Sequence, residues 1–256
     1  MRIVFFDSGV GGLTVLREAC RIHPSESYLY YADTLNVPYG VHTKEEVLGF
    51  VAGCVDDMMR SYDVRAIVIA CNTATSVAVD ELRRRYRFPI IGMEPAVKPA
   101  LQAVRESGRR VLVTATPLTL KEDKFQRLVR SLEAPDAVDT LGLPGLVQFA
   151  EEGVFDGPDV RRYLREQLAA FELERYGAIV LGCTHFVFFR DAIRAELPAH
   201  VRLMDGNEGT VNQMRRLLGL EARPLEGGRL VPDIAFMSSK GTEEDRRRLE
   251  MCFGRL

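Results

Sequence analysis

Short apolar runs rich in Val, Ile, Leu and aromatic residues alternate along the chain with longer stretches whose apolar positions recur at helical spacing. Residues 2–6, 28–32, 66–70, 90–92, 111–114, 178–182 and 202–204 read as strands. Between them, residues 13–22, 44–62, 77–86, 121–132 and 160–174 read as amphipathic helices. Thr43 followed three positions later by Glu46 has the form of a capping box and marks a helix start at Lys44. Strand and helix alternating in this way predict an α/β fold of mainly parallel sheets flanked by helices.

Two of the strand ends repeat one plan. Ile67-Val68-Ile69-Ala70-Cys71-Asn72-Thr73 and Ile179-Val180-Leu181-Gly182-Cys183-Thr184-His185 each run from a buried strand into a cysteine and two polar residues. A residue after the last apolar position of a parallel strand lies at the carboxyl edge of the sheet, where open α/β sheets place their ligands. Two pseudosymmetric lobes facing each other would bring both edges to one site between them. The first lobe is expected to comprise 1–96 plus 205–256, and the second 97–204.

Composition narrows the classes. At 256 residues, 46% hydrophobic and 27% charged, the chain resembles ordinary globular proteins and should fold throughout. A formal net charge of -2 supplies no overall field for nucleic acid or an anionic membrane. The basic runs Arg83-Arg84-Arg85 and Arg246-Arg247-Arg248 lie among acids in helical segments and read as solvated faces. The opening apolar run meets a glycine-rich turn at once, unlike a signal peptide, and nowhere do eighteen apolar residues follow one another. A soluble, cytoplasmic protein with reduced thiols is expected, consistent with an odd count of five cysteines. Cys20, Cys54 and Cys252 sit on apolar helical faces and read as small buried hydrophobes. Cys71 and Cys183, at strand ends among Asn, Thr and His, read as partly exposed and open to polarisation.

Further candidates surround them. His185 follows Cys183 by two and can trade a proton nearby. Asp7-Ser8-Gly9-Val10-Gly11-Gly12 closes the first strand and opens a helix. Thr14 occupies the third glycine position of a dinucleotide loop, so a carboxylate-binding turn fits better. Asp7 reads either as a helix cap or as a charge partner in the site. Pro38-Tyr39-Gly40 reads locally as a turn, while Asn72, Thr73, Ser76 and Thr184 could cap helices or face a ligand. No C-x-x-C or H-x-x-x-H spacing supports a metal. None of the five lysines, Lys44, Lys98, Lys121, Lys124 and Lys240, stands in a strand-end motif, which disfavours a pyridoxal Schiff base.

Together, Phe6-Asp7-Ser8-Gly9-Val10-Gly11-Gly12-Leu13-Thr14-Val15, Val37-Pro38-Tyr39-Gly40, Ala70-Cys71-Asn72-Thr73-Ala74 and Leu181-Gly182-Cys183-Thr184-His185-Phe186 resemble the glutamate-acting branch of the aspartate/glutamate racemase family. The resemblance spans nearly the whole chain in order. It implies two pseudosymmetric α/β lobes with the active site between them, and cofactor-independent interconversion of L- and D-glutamate for peptidoglycan synthesis. It also implies a cytoplasmic homodimer that needs neither nucleic acid nor membrane. Cys71 and Cys183 would be the catalytic acid/bases, assisted by Asp7, His185 and an acid at Glu152, whose neighbour Glu151 competes for that role. Ser8, Pro38, Tyr39, Gly40, Asn72, Thr73 and Thr184 would contact substrate. Val187, where the family often has proline, and a shorter Ile91-Gly92-Met93-Glu94-Pro95 segment depart from the pattern near the pocket, as does Asp205-Gly206-Asn207-Glu208-Gly209-Thr210.

Two thiols suit inversion of an α-carbon, because one group must take a proton from one face while another delivers a proton to the opposite face. A free cysteine ionises at about 8.5, so modest tuning leaves one thiolate and one thiol at neutral pH. Other readings are an aspartate or other amino-acid racemase, a catalytically silent binding protein, and a cysteine hydrolase using Cys183 with His185, which leaves Cys71 without a role.

Overall fold

The computed structural model describes residues 1–221 and 232–256. In chain order the first half runs β1 (Arg2–Asp7), α1 (Leu13–Ile22), β2 (Ser27–Ala32), α2 (Lys44–Ser61), β3 (Val64–Ile69), α3 (Asn72–Arg85), β4 (Ile90–Gly92) and α4 (Val97–Val104). There follow β5 (Arg110–Ala115), α5 (Pro117–Lys121), α6 (Asp123–Arg130), β6 (Val138–Gly142), α7 (Pro144–Glu151), α8 (Pro158–Leu168) and β7 (Tyr176–Leu181). The chain closes with α9 (Arg190–Ala195), β8 (Arg202–Asp205), α10 (Asn207–Leu218), β9 (Asp233–Ser238) and α11 (Glu243–Arg255).

The strands form two sheets, ordered β4-β3-β1-β2-β9 and β6-β5-β7-β8, and every pairing is parallel. Read from the central strand, both share one plan: β1 and β5 are central, β2 and β6 lie on one side, and β3-β4 and β7-β8 on the other. The likeness extends to detail. The register of β1 against β3 shifts between Arg2 and Ile3, and that of β5 against β7 between Arg110 and Val111.

Alternation along the strands explains the layers. Ile3 and Phe5 of β1 and Leu112 of β5 join Ile179 of β7 in one apolar cluster that also takes in α1, α7, α8, α10 and α11, so the two lobes share a core. Val4 and Phe6 point the other way, into a cluster with α2 and α3, while Val111 and Val113 meet α4 and α6. Strands covered on both faces read as continuous apolar runs, which is why these were visible in sequence. The capping box forms, with the Thr43 hydroxyl accepting from the Glu46 N–H and the Glu46 carboxylate accepting from the Thr43 N–H. Cys20, Cys54 and Cys252 are buried in these clusters.

Four expectations need correction. β6 and β9 were not foreseen; in β6 Asp139 and Thr140 break the apolar run, whereas β9 carries the short apolar run Ile234–Met237 at a partly exposed sheet edge. α3 begins at Asn72, five residues before the expected start, because Cys71 caps it. Residues 121–132 do not form one helix, since Glu122 is extended at φ -66 and ψ 138 and divides α5 from α6. The helix expected over 160–174 stops at Leu168. Among the described residues no helix is long and apolar enough to cross a membrane.

Candidate active site at the facing sheet edges

In each sheet the chain order reverses beside the central strand, between β1 and β3 and between β5 and β7. Such switch points leave a crevice at the carboxyl ends of the strands. Cys71 follows β3 and Cys183 follows β7, so the thiols occupy equivalent places in the two lobes. The backbone repeats too: the Ala70 N–H donates to the Phe6 carbonyl at 2.8 Å and the Gly182 N–H to the Thr114 carbonyl at 2.7 Å.

Cys71 is the N-cap of α3 and accepts the Ala74 N–H at 3.4 Å, with the Ser8 hydroxyl 3.6 Å from its sulfur. Burial, then the nearby Asp7 carboxylate, push this thiol up to about 12; the Ala74 and Ser8 contacts pull the other way. A thiolate at Cys183 would push Cys71 further upward, so the two groups feel each other. Both cysteines are buried, at 5% and 6% exposure, rather than partly exposed as expected from their strand-end positions. A single strand-end motif does not reveal this burial.

Asp7 ties the lobes together. Its carboxylate accepts the Gly9 N–H at 2.8 Å and, across the cleft, the Thr184 hydroxyl at 3.0 Å. Burial raises its pKa above the ordinary carboxylate value, while His185, Gly9 and Thr184 oppose the rise. It is not the cap of α1, whose N-cap is Gly12. Gly9 and Gly11 are small because space requires it: a Cβ on Gly9 would overlap the Glu151 carboxylate, and one on Gly11 would overlap Thr184 and His185.

Cys183 lies 3.7 Å from His185 Nδ1, and His185 Nε2 donates to Glu151 Oε1 at 2.7 Å. Burial alone would lower the imidazole pKa, but the hydrogen bonds and negative charge of Cys183 and Glu151 outweigh it and raise it well above the usual histidine value. For Glu151, burial is overcome by His185, Arg248 and the Val10 N–H, which hold the carboxyl down at about 2. Val10 N–H meets Glu151 Oε1 at 2.9 Å. In the glycine-rich turn, expected to take a ligand's carboxylate, the Gly9 and Val10 N–H groups hold the protein's own Asp7 and Glu151.

The expected acid at Glu152 is corrected here. Glu152 is exposed and accepts from the Gln148 amide, whereas Glu151 turns inward onto His185. One residue is about 100° around a helix, so neighbours at the end of α7 cannot share a direction.

Tyr39, within the Pro38-Tyr39-Gly40 turn, is buried, and its hydroxyl donates to Asp33 Oδ2 at 2.6 Å. Gly40 presses on Thr116 of the opposite lobe, where an added Cβ would come within 2.8 Å of the Thr116 Cβ. Thr73, Thr116 and Thr119 close a buried triangle of hydroxyls 2.9 to 3.0 Å apart. Thr116 and Thr119 were not among the expected site residues; the signal for Thr116 is that it follows β5 as Ser8 follows β1. Asn72 donates to the Met93 carbonyl at 3.2 Å and leaves its buried Oδ1 without a partner. Ser76 does not enter the cluster and donates back to the Thr73 carbonyl.

Two α/β lobes each present a buried thiol at the switch point, and an acid, an imidazole and hydroxyls join them there. The profile of the Asp/Glu/Hydantoin racemase family matches residues 8–214. The chain belongs to that family, and is an isomerase of the racemase type. It is similar to the glutamate racemase of Halothermothrix orenii, with 50% identity over 247 residues and 96% of each chain covered. Among solved structures it resembles Escherichia coli glutamate racemase in complex with L-glutamate and the activator UDP-MurNAc-Ala, at TM-score 0.84 and 28% identity over 98% of this chain and 95% of that one. The Francisella tularensis glutamate racemase in complex with D-glutamate superposes at TM-score 0.79, with 27% identity over 99% and 93%.

Proposed function

We propose that this enzyme interconverts L- and D-glutamate without a cofactor, with Cys71 and Cys183 working on opposite faces of the α-carbon. The observation that carries the reading is the equivalence of the two thiols, each after the third strand of its lobe and each beside the Asp7–Thr184 bridge. In one direction a thiolate takes the α-proton as the facing thiol delivers another; in the reverse direction the roles exchange. Burial and Asp7 favour the neutral Cys71 thiol. The ammonium of a bound amino acid supplies the positive charge that lets a thiolate form. Ser8, Asn72, Thr73 and Thr184 provide hydrogen bonds for the substrate, and donors aimed at a carboxylate stabilise the enolate character it gains as the proton leaves. The Thr73, Thr116 and Thr119 hydroxyls, drawn from both lobes, suit the side-chain carboxylate, and the Pro38–Gly40 turn closes over it. D-Glutamate would feed peptidoglycan synthesis, in the cytoplasm and from a homodimer, as the family resemblance implies.

The test is racemisation of each glutamate enantiomer in deuterium oxide. Deuterium is expected at Cα of the product, and Cys71→Ala and Cys183→Ala are each expected to abolish turnover, whereas Cys20→Ala, Cys54→Ala and Cys252→Ala keep it. Near-full turnover in either of the first two variants overturns the two-thiol reading. Kinetics with both enantiomers of aspartate decide the substrate.

A further inference from the structure

We propose that Arg248, on the carboxyl-terminal helix, is a positioning residue that fixes Glu151 and through it the His185 ring, so that proton transfer at Cys183, more than at Cys71, depends on it. The inference rests on the two-thiol reading above.

The basic run that reads as a solvated face in sequence divides in the fold. Arg246 and Arg247 pair with Glu243 of their own helix, and Arg246 also with Glu250. Arg248 turns inward and binds both the Oε2 and the main-chain carbonyl of Glu151, 97 residues away. α11 packs on β9 and α1, while Glu151 ends α7, which follows β6 of the other sheet. The contact therefore joins the two lobes behind the site. Its effect on Glu151 is geometric: Oε1 holds the Val10 N–H and His185, Oε2 holds Arg248, and neither oxygen is left to rotate. The far nitrogen of the same imidazole faces Cys183.

Among the described residues the Cys71 side shows no such chain. Equivalent strand ends place Thr73 where the second lobe has His185, and the hydrogen bonds of Cys71 among those residues are with the Ser8 hydroxyl and the Ala74 N–H. Among the described residues, the titratable groups that feel the Glu151–His185 pair include Asp7, Cys183, Tyr30, Cys252 and Arg248. Among the described residues, Arg248 and His185 are the cations that pair with the Glu151 carboxylate.

Racemisation has an equilibrium constant of one, so any loss of kcat/KM must be equal in both directions and cannot by itself tell which thiol is affected. The discriminating measurement is the primary isotope effect on kcat/KM with each α-deuterated glutamate enantiomer, which reports how far abstraction by the thiol on that face limits the rate. For Arg248→Met, kcat/KM is expected to fall roughly 10- to 100-fold, as for loss of one charge-assisted hydrogen bond felt in the transition state. The isotope effect should rise for one enantiomer and fall towards unity for the other, in the same sense as in His185→Gln. Arg248→Lys, which keeps the charge and a donor, should show a smaller shift of the same sense; it also carries the test if Arg248→Met does not fold. Arg247→Met on the same helix should match the parent enzyme. Isotope effects unchanged in Arg248→Met and Arg248→Lys, or changed equally for both enantiomers, overturn the inference. If the parent enzyme racemises neither enantiomer, it is the functional reading that fails.

Discussion

Glu151 and Glu152 differ by one position and by nearly everything physical. Glu151 is almost enclosed between His185 and Arg248, while Glu152 faces solvent. Glu151→Gln should therefore cut kcat by roughly 10²- to 10⁴-fold, the usual worth of acid–base assistance, and destabilise the fold by about 3 kcal/mol by stranding a buried charge partner. Glu152→Gln should leave both within about 0.5 kcal/mol of the parent, as for other surface changes. The pair also predicts a pH dependence of stability. Glu151 ionises at about 2 in the folded protein against an ordinary 4.5, so its contribution is complete above pH 4.5 and is lost as the pH falls towards 2. His185 is raised above its ordinary 6.5, so its contribution is complete below that value and is lost as the pH rises through the raised one. Denaturant midpoints measured across pH should show both limbs, and Glu151→Gln should flatten the acid one. At this scale the sequence exposed which residue types were chemically able, including both thiols. It could not choose between adjacent glutamates, because that choice depends on the angle at which α7 ends.

Among the elements, the turn between β1 and α1 carries the closest approach. Gly11 lies against Thr184 and His185, so Gly11→Ala must push the second lobe's strand end away. A displacement of about 1 Å in such a site can cost 10²-fold in rate, and a fall in kcat/KM of that order with the far-ultraviolet circular dichroism unchanged is the expected result. Central strands and the capped α2 were legible because their signals are local: apolar runs buried on both faces, and a Thr–Glu pair three residues apart. β6 was not, because Asp139 and Thr140 interrupt its apolar pattern, and the four-residue apolar run of β9, Ile234–Met237, is too short to mark a strand by itself. The start of α3 was hidden for a related reason, since a cysteine serves as its cap where Ser, Thr, Asp or Asn is usual.

For the molecule as a whole, burial of both thiols predicts that substrate reaches them as the lobes part. Ion pairs span the rim: Lys44 with Glu122 at 2.8 Å, and Lys124 with Glu94 at 3.2 Å and Asp80 at 3.5 Å. Lys44, Asp80 and Glu94 are about half exposed while Glu122 is buried and Lys124 largely so, which places these pairs between surface and buried ion pairs. Alkylation of Cys71 and Cys183 by iodoacetamide should be slow, slower still with saturating glutamate, and faster in Lys44→Ala. Rates equal to those of a free thiol, with or without glutamate, would count against this closed arrangement. Peptide mapping of the labelled sites measures them separately.

The order of apolar runs along the chain determined by itself that this is an α/β protein with two cysteines at the ends of two parallel strands, because burial on both faces and strand-to-helix turns leave their mark within a few residues. Only the tertiary structure decided that those edges face each other, that Glu151 rather than Glu152 serves His185, and that Arg248 leaves its helix surface to hold Glu151. Each of these joins residues tens to hundreds of positions apart, and such contacts are set by how two lobes pack on a shared core, for which no local pattern in the chain carries a signal.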